Sequence, residues 1–325
     1  MLLFFTLFNA FADNKKYGII NQNNMKLKTF IAMGLLSMFG LGGCNAQQKD
    51  NTAKQELSYT MDKNAQRHSY FLLTITKGCS FRALLNDIPI KEHFAGWSFD
   101  GELFLNQYIV KSGIQKLKIE FYPVKGYEEN SFDDEKPIYL EVRKYIKGDT
   151  PELLDYDTIS INPIPKIEKG TTHYVYETEF HANVPYNIPI LDECVRLDTI
   201  SNIEELAKEK YNELKILYEK RKYAQFLQEF DISRQRIAVA NYYREGRMEK
   251  ENKWVIDAMK EAYKKVAPIE NYKMQFYGNG KLVTLIDKTD SLATFRLDDR
   301  GDSFWPVTFY LGMCRGSDKL EILFE

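Results

Sequence analysis

Lys116-Leu117-Lys118-Ile119-Glu120-Phe121-Tyr122 is the stretch on which the fold is decided. Leu117, Ile119 and Phe121 alternate with Lys116, Lys118 and Glu120. Successive side chains of a strand point to opposite faces, so the run spells a half-buried β-strand with one core face and one wet face. Working outward, Ser69 to Thr76 (SYFLLTIT), Phe81 to Ile90, Trp97 to Ile109, Ile114 to Tyr122, Ile138 to Ile146 and Thr172 to His181 are rich in strand-forming residues. Asn86 and Asp87 supply a turn inside the second run. Gly78, Gly96, Gly101, Gly113, Gly126, Pro123 and Pro137 punctuate the runs at the spacing of an antiparallel sandwich. Residues 150 to 170 contain Pro151, Pro163 and Pro165 and read as a long ordered loop, and residues 183 to 200, with Pro185 and Pro189, read the same way.

At Ser201 the period changes. Ser201-Asn202-Ile203-Glu204 has the form of a capping box, and Ile203, Leu206, Leu214, Leu217 and Tyr218 follow near helical spacing. Asp231 is a good N-cap for a second helix through Ile237, Val239, Ala240 and Tyr243, with Gly246 at its end. A third helix is expected from about Lys250 to Ala267, with Trp254, Val255, Ala258, Met259, Ala262 and Val266 on one apolar face and Pro268 as its stop. Such stripes are what a helix needs to dock, so they are assigned to core. Beyond Pro268 the strand period returns at Tyr272 to Tyr277, Leu282 to Asp287, Leu292 to Leu297, Phe304 to Leu311 and Leu320 to Phe324. Short turns such as Gly278-Asn279-Gly280 and Arg315-Gly316-Ser317-Asp318 join them.

The expected fold is therefore two domains: an N-terminal antiparallel β-sandwich over residues 68–197, then an α+β domain over residues 198–325, helices first and an antiparallel meander after them. Leu105 to Pro123, LNQYIVKSGIQKLKIEFYP, resembles a form common in small bacterial β-sandwiches: an apolar anchor, a glycine turn and an alternating strand ending in proline. The helix-then-meander order of the second domain is similar to the cone-shaped folds of the nuclear-transport-factor-like superfamily, a likeness that implies a pocket between sheet and helices.

Upstream of both domains stands Leu41-Gly42-Gly43-Cys44. Lys26 and Lys28 make a positive start, Phe30 to Leu41 an apolar middle, and small residues precede the cysteine. The segment resembles the type II signal peptide and lipobox of bacterial lipoproteins. It is too short for a transmembrane helix, which needs about 18 apolar residues, and Gly34, Gly40, Gly42 and Gly43 disfavour a buried helix. The resemblance implies residues 25–43 as a cleaved signal peptide, residues 1–24 as an upstream misassigned start, and Cys44 as the lipid attachment site holding the chain to a bilayer. More than one acyl chain gives stable anchoring. Asn45, where an aspartate would favour inner-membrane retention, implies the outer membrane. Residues 44–67 are polar and read as a flexible tether.

Removing residues 1–43 takes the net charge from −2 to −5, since that segment carries Lys15, Lys16, Lys26 and Lys28 against Asp13. A mildly acidic chain with interspersed charges lacks a nucleic-acid footprint, so no nucleic-acid partner is expected. Cys79, Cys194 and Cys314 remain after Cys44, allowing at most one disulfide, with Cys79 to Cys194 and all-free cysteines both open. Cys314 beside Arg315 is the thiol whose pKa could be lowered, against the commoner buried, inert cysteine. His173, Val175, Glu177, Glu179 and His181 share one strand face. The two histidines are about 26 Å apart at roughly 3.3 Å per residue, too far for one metal, so the face is assigned to solvent. The acidic run Glu128 to Glu135 has calcium-type ligands without EF-hand spacing and is assigned to a solvated turn. Arg300-Gly301-Asp302 matches an adhesion tripeptide in a place that needs a turn anyway. The mature sequence contains no GxSxG, phosphate loop, HExxH or dinucleotide glycine fingerprint. No catalytic residue, metal ligand or cofactor is therefore assigned. The expectation is a membrane-anchored, non-enzymatic binding module with a macromolecular partner, either a toxin-neutralising immunity protein or a glycan- or protein-binding surface protein. The alternative is an envelope hydrolase or isomerase with its pocket in the α+β domain.

Overall fold

Two four-stranded antiparallel sheets face each other in the N-terminal half of a computed structural model that describes residues 56–94, 97–132, 138–146, 156–164, 166–261, 265–299, 303–314 and 316–325. One sheet has the order β5 (Ser98–Phe104), β2 (His68–Lys77), β7 (Tyr139–Ile146), β8 (Tyr156–Pro163). The other has the order β4 (Ile88–His93), β3 (Ser80–Leu85), β6 (Gly113–Tyr122), β9 (Tyr174–Ala182). Leu117, Ile119 and Phe121 of β6 are at most 1% exposed, while Lys116 is exposed and Lys118 and Glu120 are partly so, as the alternation requires. They meet Tyr70, Leu72, Leu140 and Val142 of the opposite sheet in one core cluster. The turn between β3 and β4 is Asn86-Asp87, both with left-handed backbone (φ 52° and 64°), the conformation that a two-residue hairpin turn demands.

Residues 150 to 170 are not one loop: β8 pairs along Tyr139 to Tyr145 of β7 as the fourth strand of its sheet. Pro163 stands at the strand's last position, on an edge where a missing N–H costs nothing. In the second loop, a short β10 (Tyr186–Asn187) pairs with β1 (Thr60–Met61).

The helical region contains four α-helices among the described residues. α1 (Ile203–Glu219) buries Ile203, Ala207, Tyr211, Leu214 and Tyr218, a stripe of i, i+4 and i+3 steps. Asn202, not Ser201, stands at its N-cap, without a side-chain capping bond. Arg221, at φ 57°, ends it and turns the chain into α2 (Tyr223–Gln228), a helix that no glycine or proline announces in the sequence. α3 (Asp231–Ala240) starts at Asp231 itself, with Phe230 as the capping residue. α4 (Arg247–Glu261) corrects the expected third helix: Val255 is its buried residue, and Trp254 is 39% exposed. A hundred degrees per residue separates the two neighbours, and the Val255 side is the one that docks.

The strands that follow form a four-stranded antiparallel sheet, β12 (Tyr272–Tyr277), β13 (Leu282–Asp287), β16 (Tyr310–Gly312), β17 (Glu321–Phe324), and a three-stranded one, β11 (Lys265–Val266), β14 (Arg296–Asp299), β15 (Ser303–Pro306). The single run expected from Phe304 to Leu311 is thus split between two sheets. Helices and meander enclose an aromatic core in which Tyr211 lies 4.6 Å from Phe309 and Phe226 lies 6.0 Å from Phe295, ring centre to ring centre. The architecture is a β-sandwich followed by an α+β domain, within one compact unit from Ala53 to Glu325.

The two parts meet along a polar seam. The Asn106 side chain accepts from Tyr70 N at 2.7 Å and donates to the carbonyls of His68 and Ala240 at 2.8 and 3.3 Å. Tyr242 Oη donates to the same His68 carbonyl at 2.9 Å. At the far end, Asp87 accepts from Gly278 N and Asn279 N at 3.0 and 2.8 Å. Gly280 carries φ 83°, and a Cβ there would come within 2.7 Å of the Asp198 carboxylate. A disulfide joins Cys194 to Cys314, so Cys314 is not a free thiol, and among the described residues Cys79 is the unpaired one.

Candidate binding face

β7 reads Tyr139-Leu140-Glu141-Val142-Arg143-Lys144-Tyr145-Ile146. Leu140 and Val142 point into the sandwich, so Tyr139, Glu141, Arg143 and Tyr145 are sent to the outer face. The register places Phe71 of β2 between Phe104 of β5 and Arg143, and Leu73 between Glu102 and Glu141. The result is a row of rings with Phe104 to Phe71 at 5.0 Å, Phe71 to Tyr145 at 5.0 Å and Tyr145 to Tyr156 at 5.3 Å between centres. Edge-to-face contacts of this kind add about 0.5–1.5 kcal/mol each beyond the area they bury. Tyr156, at the end of the row, is 45% exposed.

Arg143 organises the polar half of this face. Its Nη1 donates to Glu102 at 2.6 Å, its Nη2 to Glu141 at 2.9 Å, and its guanidinium carbon lies 4.4 Å from the Tyr156 ring centre. Tyr145 Oη donates to Glu102 at 3.1 Å, and Tyr139 Oη and Thr158 Oγ1 donate to Glu141 at 3.0 and 2.5 Å. Arg143, with Thr158 and Tyr139, holds the Glu141 carboxyl down at about 2. A carboxylate so strongly held as the anion has no proton to give at neutral pH.

A second charged cluster lies on the outer face of the other sheet. Arg82 Nε donates to Glu92 at 2.6 Å and Arg82 Nη1 to Glu120 at 3.4 Å, while Lys118 Nζ lies 3.1 Å from Glu120. Burial lifts the Glu92 carboxyl above the usual carboxylate range despite its arginine. Glu120 is held low, because hydrogen bonds from Lys118 and Tyr122 overcome its own partial burial. Phe94, Tyr122 and His173 continue the cluster, with Tyr122 stacked on His173 at 4.8 Å.

The residues singled out in the sequence fall apart in space or outside the described chain. Cys44, the signal segment, the first half of the tether (residues 44–55) and Arg300-Gly301-Asp302 lie outside the described residues, while the second half is not a free tether, since Leu57 N donates to Gln235 and Thr60–Met61 pairs with β10. His173, Val175, Glu177, Glu179 and His181 are all exposed on the β9 face, as the solvent assignment has it. Glu128 to Asn130 form a 3-10 turn, and residues 133–137 lie outside the described set. Among the described residues no group of three or more His, Cys, Asp or Glu is placed to hold a metal ion, and no helix is long and apolar enough to cross a membrane. Burial pushes the Cys79 thiol up to about 12, which leaves it unreactive. The outer face of β7 was missed, although the alternation of Tyr139, Glu141, Arg143 and Tyr145 marks it. No protein-family model, curated protein or solved structure matches this chain.

Proposed function

We propose that this chain is a lipid-anchored protein of the bacterial cell envelope, assigned to the outer membrane on Asn45, that works as a non-enzymatic binding module for a macromolecular partner. The observation that carries the reading is Leu41-Gly42-Gly43-Cys44 behind Lys26, Lys28 and the apolar run Phe30 to Leu41, which resembles a lipobox. Tyr156, 45% exposed at the end of the row of rings and backed by the buried Tyr145, supports the glycan-binding form of the reading over toxin neutralisation, since an exposed ring held by fixed neighbours can meet a sugar face. The enzyme alternative draws on Glu92 and Glu120, two neighbouring carboxyls whose surroundings push them in opposite directions. They lie on the sandwich, however, and not in the α+β domain where a pocket was expected.

The deciding experiment is metabolic labelling with a palmitate analogue of the wild type and Cys44→Ala. The wild type takes up label and sediments with membranes, and the variant does neither. Undiminished labelling of Cys44→Ala ends the lipoprotein reading.

A further inference from the structure

Arg236, on α3, is 1% exposed, yet among its nitrogens only Nε has a partner, the Leu323 carbonyl at 3.0 Å. Nη1 and Nη2 are sealed from solvent and donate to nothing among the described residues. The guanidinium carbon lies 3.9 Å from the centre of the Phe324 ring, which fixes the plane of the fork but accepts no hydrogen bond in that plane. Its electrostatic neighbours are Tyr108, from the turn after β5, Tyr186 of β10, and Glu325, which follows β17. Tyr186 Oη already donates to the Asn106 carbonyl at 3.2 Å. On the same helix Arg234 is 4% exposed with Nε unpartnered, and the Ser233 hydroxyl is buried and unpartnered.

Arg234 and Arg236 both act on the Glu325 side-chain carboxyl, whose Oε1 is buried and accepts from neither. Burial lifts the Glu325 carboxyl, which favours its neutral form, and pushes Arg236 down to about 10, which still leaves it protonated at neutral pH. Native interiors pair nearly every buried polar group, and a charged one left alone is the costliest exception. A planar fork with two adjacent free N–H edges is the geometry that takes an oxyanion or halide side-on.

We propose that Arg236 is the centre of an interior anion-binding site, where a small anion such as chloride, acetate or inorganic phosphate sits on the free Nη1 and Nη2 edges and neutralises the Arg236 guanidinium at the seam between the sandwich and the meander. The site is independent of the proposed glycan face, and it makes the anion part of the folded structure.

Unfolding of the protein from residue 53 onward, followed at constant ionic strength while gluconate is exchanged for chloride, acetate or phosphate, tests this. One anion bound to the folded chain and none to the unfolded lowers the unfolding constant tenfold for each tenfold rise in free anion above the dissociation constant. The three salts rank the anion by shape. Arg236→Met should abolish the dependence, Arg236→Lys, which keeps the charge without the fork, should weaken it, and Glu325→Gln should keep it. The proposal fails if no salt differs from gluconate in the wild type, or if Arg236→Met keeps the wild-type slope. It fails equally if the dependence appears only in Glu325→Gln and not in the wild type, because Glu325 would then be the partner of Arg236. Should Arg236→Met not fold, the Arg236→Lys slope decides alone, and an unchanged slope overturns the site.

Discussion

Two arginines, Arg143 on the outer face of the sandwich and Arg236 in the seam, meet opposite fates in one molecule. Arg143 is 17% exposed at its side chain and has two carboxylates and a tyrosine ring around it. Arg236 is deeper and has one carbonyl and one ring. Burial by itself therefore does not decide whether a charge stabilises a fold. The sheet offers Arg143 partners because cross-strand register brings side chains from β5, β7 and β8 to one row. The middle of a helix packed on a strand end offers Arg236 mostly backbone that is already committed.

The largest effect expected from breaking this contrast is at Arg143. Arg143→Met leaves Glu102 and Glu141 facing each other without their cation, and should lower stability by about 3 kcal/mol in urea unfolding, the low end for breaking a buried pair. The wild type should also carry an acid signature. Glu141 is held at about 2, below the ordinary carboxylate range, so its contribution is complete above that range and is lost as pH falls toward 2. Arg143→Met should flatten that loss, and an equally steep acid limb in the variant would show that Arg143 does not hold Glu141.

Arg236→Met is expected to go the other way. In gluconate, where no small anion competes, the change removes an unpaired buried cation and should leave stability unchanged or raise it by about 1 kcal/mol. A loss as large as that at Arg143 would mean that the two sites differ less than their contacts show.

The smallest effect sharpens the comparison on a neighbouring element. Trp254→Ala on α4 should cost under about 1 kcal/mol, because its side chain stands 39% exposed, whereas a buried tryptophan typically costs about 3–5 kcal/mol. Val255→Ala, on the docked side of the same helix, should cost more than Trp254→Ala. The reverse order in thermal melting would place Trp254 in the core after all.

Local pattern made much of this fold legible. The alternation at Lys116 to Tyr122 and the β12 and β13 runs needed only their own residues to be read. β8 was hidden because prolines at 151, 163 and 165 suggested a loop, and an edge strand tolerates what a central strand does not. α2 was hidden because Arg221 takes a left-handed turn usually left to glycine. Trp254 was misread because size suggested burial, while the helix faces by angle. For the candidate face, Tyr139, Glu141, Arg143 and Tyr145 were visible as an outward row, but Glu102, Phe71 and Thr158 reach them only through register. Nothing local separates Arg236 from any other helical arginine.

Asn279-Gly280, at the seam, is also the sequence most prone to spontaneous deamidation, in which the glycine nitrogen attacks the asparagine side chain. Here that nitrogen donates to the Tyr277 carbonyl at 3.1 Å, and Asn279 N is engaged by Asp87 at 2.8 Å. Docking thus restrains the attack. Each opening of the seam releases it, and the aspartate formed would place new negative charge next to Asp87. Ageing at this one peptide bond would make the seam progressively harder to close.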